Sequence, residues 1–124
     1  GLYHLGRVVV QPSRMEGLGL TIPEAMWQGR PVITTDAPPM NEFITGRTHL
    51  VPIASTNQRA DGLSFPECSV SVDLLSECMR ASLLDYQGYG LNNFASARRL
   101  FDWTSFRARI AKGLEALKAQ ESHG

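Results

Sequence analysis

Regular patterning begins at Arg7-Val-Val-Val-Gln-Pro12, a short β-branched run that is continuously apolar and closed by a proline. Such a run predicts a strand buried on both faces of a parallel sheet. Pro31-Val-Ile-Thr-Thr35 repeats the pattern before Asp36-Ala-Pro-Pro39 ends it, and Leu50 to Ala54 supplies a third strand. Between the first two, Ser13 to Gly19 reads as a loop with two glycines. Leu20 to Gly29 then reads as a helix, with Thr21 as N-cap, Pro23 in the first turn and Gly29 as the C-terminal stop. A short helix from Met40 to Thr45 leads through Gly46 to the third strand. Ser55 to Ser71 is polar, contains Gly62 and Pro66, and has no periodicity, so it is expected to be a long loop decorating the surface. The remainder has helical spacing. Val72, Leu75, Met79 and Leu83 share a face behind Ser71 as cap; Phe94, Ala97 and Phe101 place a second helix near residues 91–101. Phe106, Ile110, Leu114 and Leu117 mark the last, with Asp102 or Thr104 near its start.

Strands alternating with helices across short connections imply βαβ units and an α/β fold, here a partial Rossmann-like parallel sheet of about three strands with C-terminal helices. The Val8–Val10 strand has the apolar character of a central strand, yet no earlier segment is available to pair with it, and an apolar edge is a liability. The chain also starts at Gly1, with Leu2, Tyr3 and Leu5 reading as the last turn of a helix. Residues 1–124 are therefore expected to be a piece of a longer protein.

Composition narrows the function. Among 124 residues, twelve Lys and Arg balance twelve Asp and Glu, for a formal net charge of zero. That balance argues against a nucleic-acid partner gripped by bulk positive charge and against a polybasic membrane anchor. The hydrophobic share, 43%, is that of a globular domain. No apolar run approaches the roughly 18 residues of a membrane span, and Gly1 to Gly6 lack the features of a secretory signal. A cytoplasmic location is the default. Cys68, in the loop and far from any His, does not suggest a nucleophile, and Cys78 reads as a core thiol. His4, His49 and His123 are scattered, without metal-ligand spacing. Trp103 and Phe106 read as packing anchors, and Arg98, Arg99, Arg107, Arg109 and Lys112 as a solvated helix face. Asn41 and Glu42 read as the capping region of the short helix rather than an acid–base pair.

The chemistry concentrates in Pro12-Ser-Arg-Met-Glu-Gly-Leu-Gly-Leu-Thr-Ile-Pro-Glu24, a strand terminus, a glycine loop and a helix start. Open α/β sheets bind ligands there, beyond the carboxyl ends of the strands. Gly17 and Gly19 allow close backbone approach, and the N–H groups of Leu18, Gly19, Leu20 and Thr21 suit an anion such as a pyrophosphate. Glu16 and Glu24, eight positions apart, are expected to face one crevice. An ionised carboxylate accepts from two hydroxyls at once, so Glu24 suits a ribose diol and Glu16 the hydroxyls of a sugar. A dinucleotide fold fits poorly, because Gly17-Leu-Gly19-Leu-Thr-Ile22 has isoleucine where the third glycine of that fingerprint belongs.

The run from Glu16 through Pro23-Glu24-Ala-Met, Gly29-Arg-Pro31-Val and Asp36 resembles the Glu-x7-Glu segment of retaining glycosyltransferases built from two Rossmann lobes. These are type B enzymes, and the likeness is to family 4, in the C-terminal, donor-binding lobe. Asp36-Ala-Pro-Pro-Met-Asn-Glu42 resembles that family's next turn, and Arg98-Arg-Leu-Phe-Asp-Trp103 the motif ahead of its final helix, where the chain crosses back to the other lobe. The resemblance implies transfer of a sugar from a nucleotide-diphosphate sugar to an acceptor, with the anomeric configuration retained and no cofactor or metal. Glu16 would be catalytic, contacting sugar hydroxyls and balancing charge at the anomeric carbon. Gly17, Leu18, Gly19, Leu20 and Thr21 would meet the sugar and diphosphate, and Glu24 the nucleotide ribose. A carbohydrate, lipid-linked or other hydroxyl acceptor would come from the N-terminal lobe, as would any membrane contact. Two departures limit this expectation. The family's diphosphate-neutralising Arg and Lys would precede Gly1, leaving Arg14 as the one basic residue of the motif, and the acceptor lobe lies outside these residues. The chain alone is then expected to be inactive. A non-catalytic nucleotide-sugar-binding module shares every one of these motifs.

Overall fold

The computed structural model describes residues 1–44, 49–62 and 66–121, with side chains to residue 118. The chain builds a mixed α/β unit in which three parallel strands lie in the order β1-β2-β3: β1 (Val9–Gln11), β2 (Val32–Thr35) and β3 (Leu50–Val51). Val9 pairs with Val32 and Gln11 with Thr34, and on the other side of β2 Thr35 pairs with Val51. All four residues of β2 are buried, as its apolar run predicts. In β1, by contrast, Val10 is partly exposed, because among the described residues this strand forms the outer edge and is covered less completely.

Helix α1 (Thr21–Trp27) carries Ile22, Ala25 and Met26 into the core, where they meet Val32, Ala37, Met40, Ile44, Cys68 and Ala97. Gly29 ends α1 as its position predicts. The Arg30 N–H reaches the Ala25 carbonyl, the Gly29 N–H reaches Met26, and Gly29 sits at φ +65°, where a Cβ would be strained. Thr21 is not the N-cap, however. Leu20 occupies that place without a side-chain cap, and the Thr21 hydroxyl instead donates to the side-chain oxygen of Gln11.

The segment expected to be a featureless loop is largely a β-hairpin. Strand β4 (Ile53–Asn57) and strand β5 (Glu67–Val70) pair antiparallel, with Thr56 opposite Cys68 and an irregularity between Ile53 and Ser55. The third predicted strand is thereby split at Pro52 into β3 and the start of β4. Cys68 is a buried strand residue, not a loop thiol, while Cys78 is only half-buried, its thiol pushed up by burial and by Glu77. The short helix expected over Met40–Thr45 is one 3-10 turn, Met40–Glu42, entered through a cis Pro38–Pro39 bond; Thr45 and Gly46 lie outside the described residues. Asn41 does not cap this turn but donates to Asp36, 3.0 Å away.

Helices α2 (Val72–Leu84), α3 (Tyr86–Phe101) and α4 (Trp103–Glu121) complete the chain. Ser71 caps α2 through the Leu74 N–H, and Asp102 caps α4 through the Ser105 N–H. Helix α3 begins five residues earlier than its apolar spacing suggests, capped by Asp85 through the Gly88 N–H. Trp103 and Phe106 stack with their centroids 5.3 Å apart, yet both are exposed, as are Ile110, Leu114 and Leu117. The apolar stripe of α4 therefore faces outward. No helix among the described residues is long and apolar enough to cross a membrane.

Candidate functional site

Glu16 lies in the loop that carries the chain from the carboxyl end of β1 to α1. Two neighbours fix its side chain. The Gln11 amide donates to Oε1 at 2.8 Å and the Ser13 hydroxyl donates to the same oxygen at 2.7 Å. Ser13 is itself held, since its carbonyl accepts the Thr35 hydroxyl at 2.7 Å. With both contacts on Oε1, the carboxylate is oriented while Oε2 stays available to a ligand. Gln11 was not singled out by the sequence pattern. The signal was present, however: it is the one polar residue closing an apolar strand, at the end where ligands bind.

The loop ahead of α1 has the openness expected of it. A Cβ on Gly17 would meet nothing within 4 Å, and Gly19 takes φ +58°, a conformation that favours glycine. The Gly19 carbonyl accepts from the Ile22 N–H, and Leu18, Gly19, Leu20 and Thr21 all line the opening beside the loop. Helix α1 has only seven residues, so the glycine loop and its carboxylate, not a helix terminus, define this place. Gln11, Glu16, Gly17, Leu18, Gly19, Leu20 and Thr21 line a cavity of about 550 Å³.

Glu24 does not share that cavity. It lines an adjoining depression with Leu20, Pro23, Trp27 and Phe101, and Leu20 is common to both. Its Oε2 accepts a hydrogen bond from the Tyr3 hydroxyl at 2.9 Å, and this bond, followed by burial and the Glu24 charge, raises the Tyr3 pKa above its ordinary value of 10.0. Glu16 and Glu24 thus line two depressions that adjoin at Leu20, Glu16 in one and Glu24 in the other.

The hairpin forms a third wall, contrary to the expectation that this segment only decorates the surface. The Cys68 N–H donates to the Arg14 carbonyl at 2.8 Å, the Arg14 guanidinium lies 2.8 Å from the Glu67 carboxylate, and an Arg59 nitrogen lies 3.8 Å from Met15 Sδ. Arg14, the one cation of the motif, is therefore already paired. Between hairpin and loop lies a cavity of about 920 Å³ that again reaches Glu16 and Gly17. Among the described residues no cluster of three or more His, Cys, Asp or Glu is placed to hold a metal ion. A family model described as glycosyl transferases group 1 matches residues 1–64, just over half of the chain. No curated protein and no solved structure matches.

Proposed function

The chain belongs to the group 1 glycosyl transferases, and from that premise we propose that it is the C-terminal part of a donor-binding lobe that positions a nucleotide-diphosphate sugar for transfer with retention of configuration. Glycosyltransferase-type function, with a nucleotide-sugar donor and an acceptor in general terms, comes with the family; the type B, family 4-like placement and the residue roles are our reading. The observation that carries it is the Glu16 carboxylate, anchored through one oxygen by Gln11 and Ser13 beside a loop whose Gly17 leaves its space open. A carboxylate so held accepts from sugar hydroxyls without reorganising, and it stands ready for the positive charge that develops at the anomeric carbon as the bond to the diphosphate breaks. The new bond to the acceptor oxygen forms on the same face, and the acceptor proton passes to the departing diphosphate. Gly17, Leu18, Gly19, Leu20 and Thr21 would line the path of sugar and diphosphate, and Glu24 would take the ribose diol in place of the Tyr3 hydroxyl or alongside it. The reading calls for no metal.

Two features support the placement within a larger protein: β1 as an edge strand among the described residues, and the outward apolar stripe of α4. Saturation-transfer NMR on the chain with UDP-, GDP- and ADP-sugars, and with NAD as the competing ligand class, tests the donor reading. One nucleotide sugar should bind, weakly, and Glu24→Ala should weaken it. Preference for NAD, or binding indifferent to Glu24→Ala, refutes the assignment. Sugar transfer by the longer protein that carries this chain, lost in Glu16→Gln, separates an enzyme from a module that only binds.

A further inference from the structure

Glu16 and Gly17 line two cavities, one along the glycine loop and the other between that loop and the hairpin. The second, about 920 Å³, is absorbed by no role proposed above. Its walls are mainly apolar: Met15 from the loop, Pro39 and Met40 from the turn after β2, and Ile53 and Pro66 from the hairpin, with Thr56 among them. Of the charged groups at its border, Arg14 pairs with Glu67, and Glu16 accepts from Gln11 and Ser13 through Oε1 while its Oε2 stays available at that edge of the cavity. A hydrated sugar placed deep in this space would leave hydroxyls without partners, at a cost, whereas hydrocarbon gains by leaving water. The volume is that of a pocket for a small molecule. Shared lining residues relate the three depressions: Leu20 joins the Glu24 depression to the glycine-loop cavity, and Glu16 and Gly17 join that cavity to the one under the hairpin. If Glu16 takes the donor sugar and Glu24 the ribose, the hairpin cavity adjoins the sugar and shares no lining residue with the ribose depression.

We propose that the cavity between hairpin and Glu16 loop seats an apolar aglycone of the acceptor, a hydrocarbon chain or ring system carried next to the hydroxyl that receives the sugar. The proposal rests on the donor reading of Glu16. It makes the hairpin, anchored to the loop by Cys68, Glu67 and Arg59, a specificity element for the acceptor.

The four methionines make the test internal. Met15 and Met40 line the cavity, Met40 from the edge of the core, while Met26 packs in the same core beneath α1 without reaching the cavity and Met79 lies on α2. In the chain labelled with 13C at the methionine methyls and 15N at glycine, octyl glucoside below its micelle concentration should shift Met15 and Met40 and leave Met26 and Met79 in place. Methyl glucoside should act at least about tenfold more weakly, since it lacks the chain to be buried. Thr56→Trp, which fills the cavity from an exposed strand position, and Ile53→Lys, which charges its wall, should each abolish the octyl response. Both should leave intact the response of the Gly17 and Gly19 amides to nucleotide sugars. Equal shifts at all four methionines, equal action of the two glucosides, or an octyl response surviving both variants overturns the proposal. Displacement of octyl glucoside by a nucleotide sugar also overturns it, by giving the cavity to the donor. Silent methionines with responsive glycines refute the aglycone site alone; silent glycines with responsive Met15 and Met40 refute the donor reading.

Discussion

Gly90 of α3 lies so close to Gly29, the residue that ends α1, that a Cβ on Gly90 would fall inside the envelope of the Gly29 carbonyl oxygen. The approach lets α3 pack against α1, and the Asn93 amide completes the join by donating to the Arg30 carbonyl at 3.2 Å. Gly90→Ala should therefore destabilise the chain by about 1–3 kcal/mol, the range for an intrusion into close packing, although alanine is the better helix former. Gly113→Ala on α4, where a Cβ would meet nothing within 4 Å, is the matched control and should stabilise by about 0.5–1 kcal/mol. Urea unfolding of the two variants checks the opposite signs.

Gln11 links the strand to the Glu16 carboxylate and, through its side-chain oxygen, to Thr21. Gln11→Ala should cost about 0.5–1.5 kcal/mol of stability for the lost hydrogen bonds, with a fall in nucleotide-sugar affinity as well. Gln11→Glu would set a second carboxylate against Glu16 and should weaken binding further than Gln11→Ala does. Isothermal titration of both variants, beside their urea unfolding, distinguishes loss of positioning from simple loss of fold.

His49, with 1% of its surface exposed, packs edge-on against Tyr89 at a centroid distance of 4.1 Å, and neither ring nitrogen has a hydrogen-bond partner among the described residues. Burial lowers its pKa from 6.5. In the unfolded chain His49 takes up its proton as pH falls through about 6.5, while the folded chain resists until lower pH. The stability present above that value should thus be lost progressively as pH falls below it. His49→Phe keeps the ring contact and should remove this part of the slope, as urea midpoints between pH 5 and 8 would record.

Tyr3 donates to Glu24, so its phenol should ionise above the ordinary value of 10.0. A spectrophotometric titration should lose a component above that value in Tyr3→Phe. Glu24→Gln should bring that component back toward the ordinary range. A ligand that takes over Glu24 should do the same.

The sequence made β2, the Glu16 loop and the end of α1 legible because each is local: a β-branched run, paired glycines, a glycine at a left-handed helix end. The hairpin was hidden for a physical reason. All five residues of β4 are exposed, so no face of it needed an apolar alternation, and Ala-Ser-Thr-Asn looks like loop. The start of α3 was obscured by Gly88 and Gly90, which lower helix propensity; Gly90 is there for the approach to Gly29, a contact between residues 61 positions apart. Gln11 and Tyr3 reach the two glutamates through tertiary contacts that no spacing rule announces.

Among the described residues the hairpin contributes only Cys68 to the core, while the loop opposite it hangs from Ile22, Ala25 and Met26 at the centre of the fold. Substitutions on β4 therefore fall where surface changes cost little stability. One rim of the site can drift freely while the other is pinned by folding, so related chains could exchange this ribbon, in length or in sequence, and acquire a new substrate range with the glycine loop untouched.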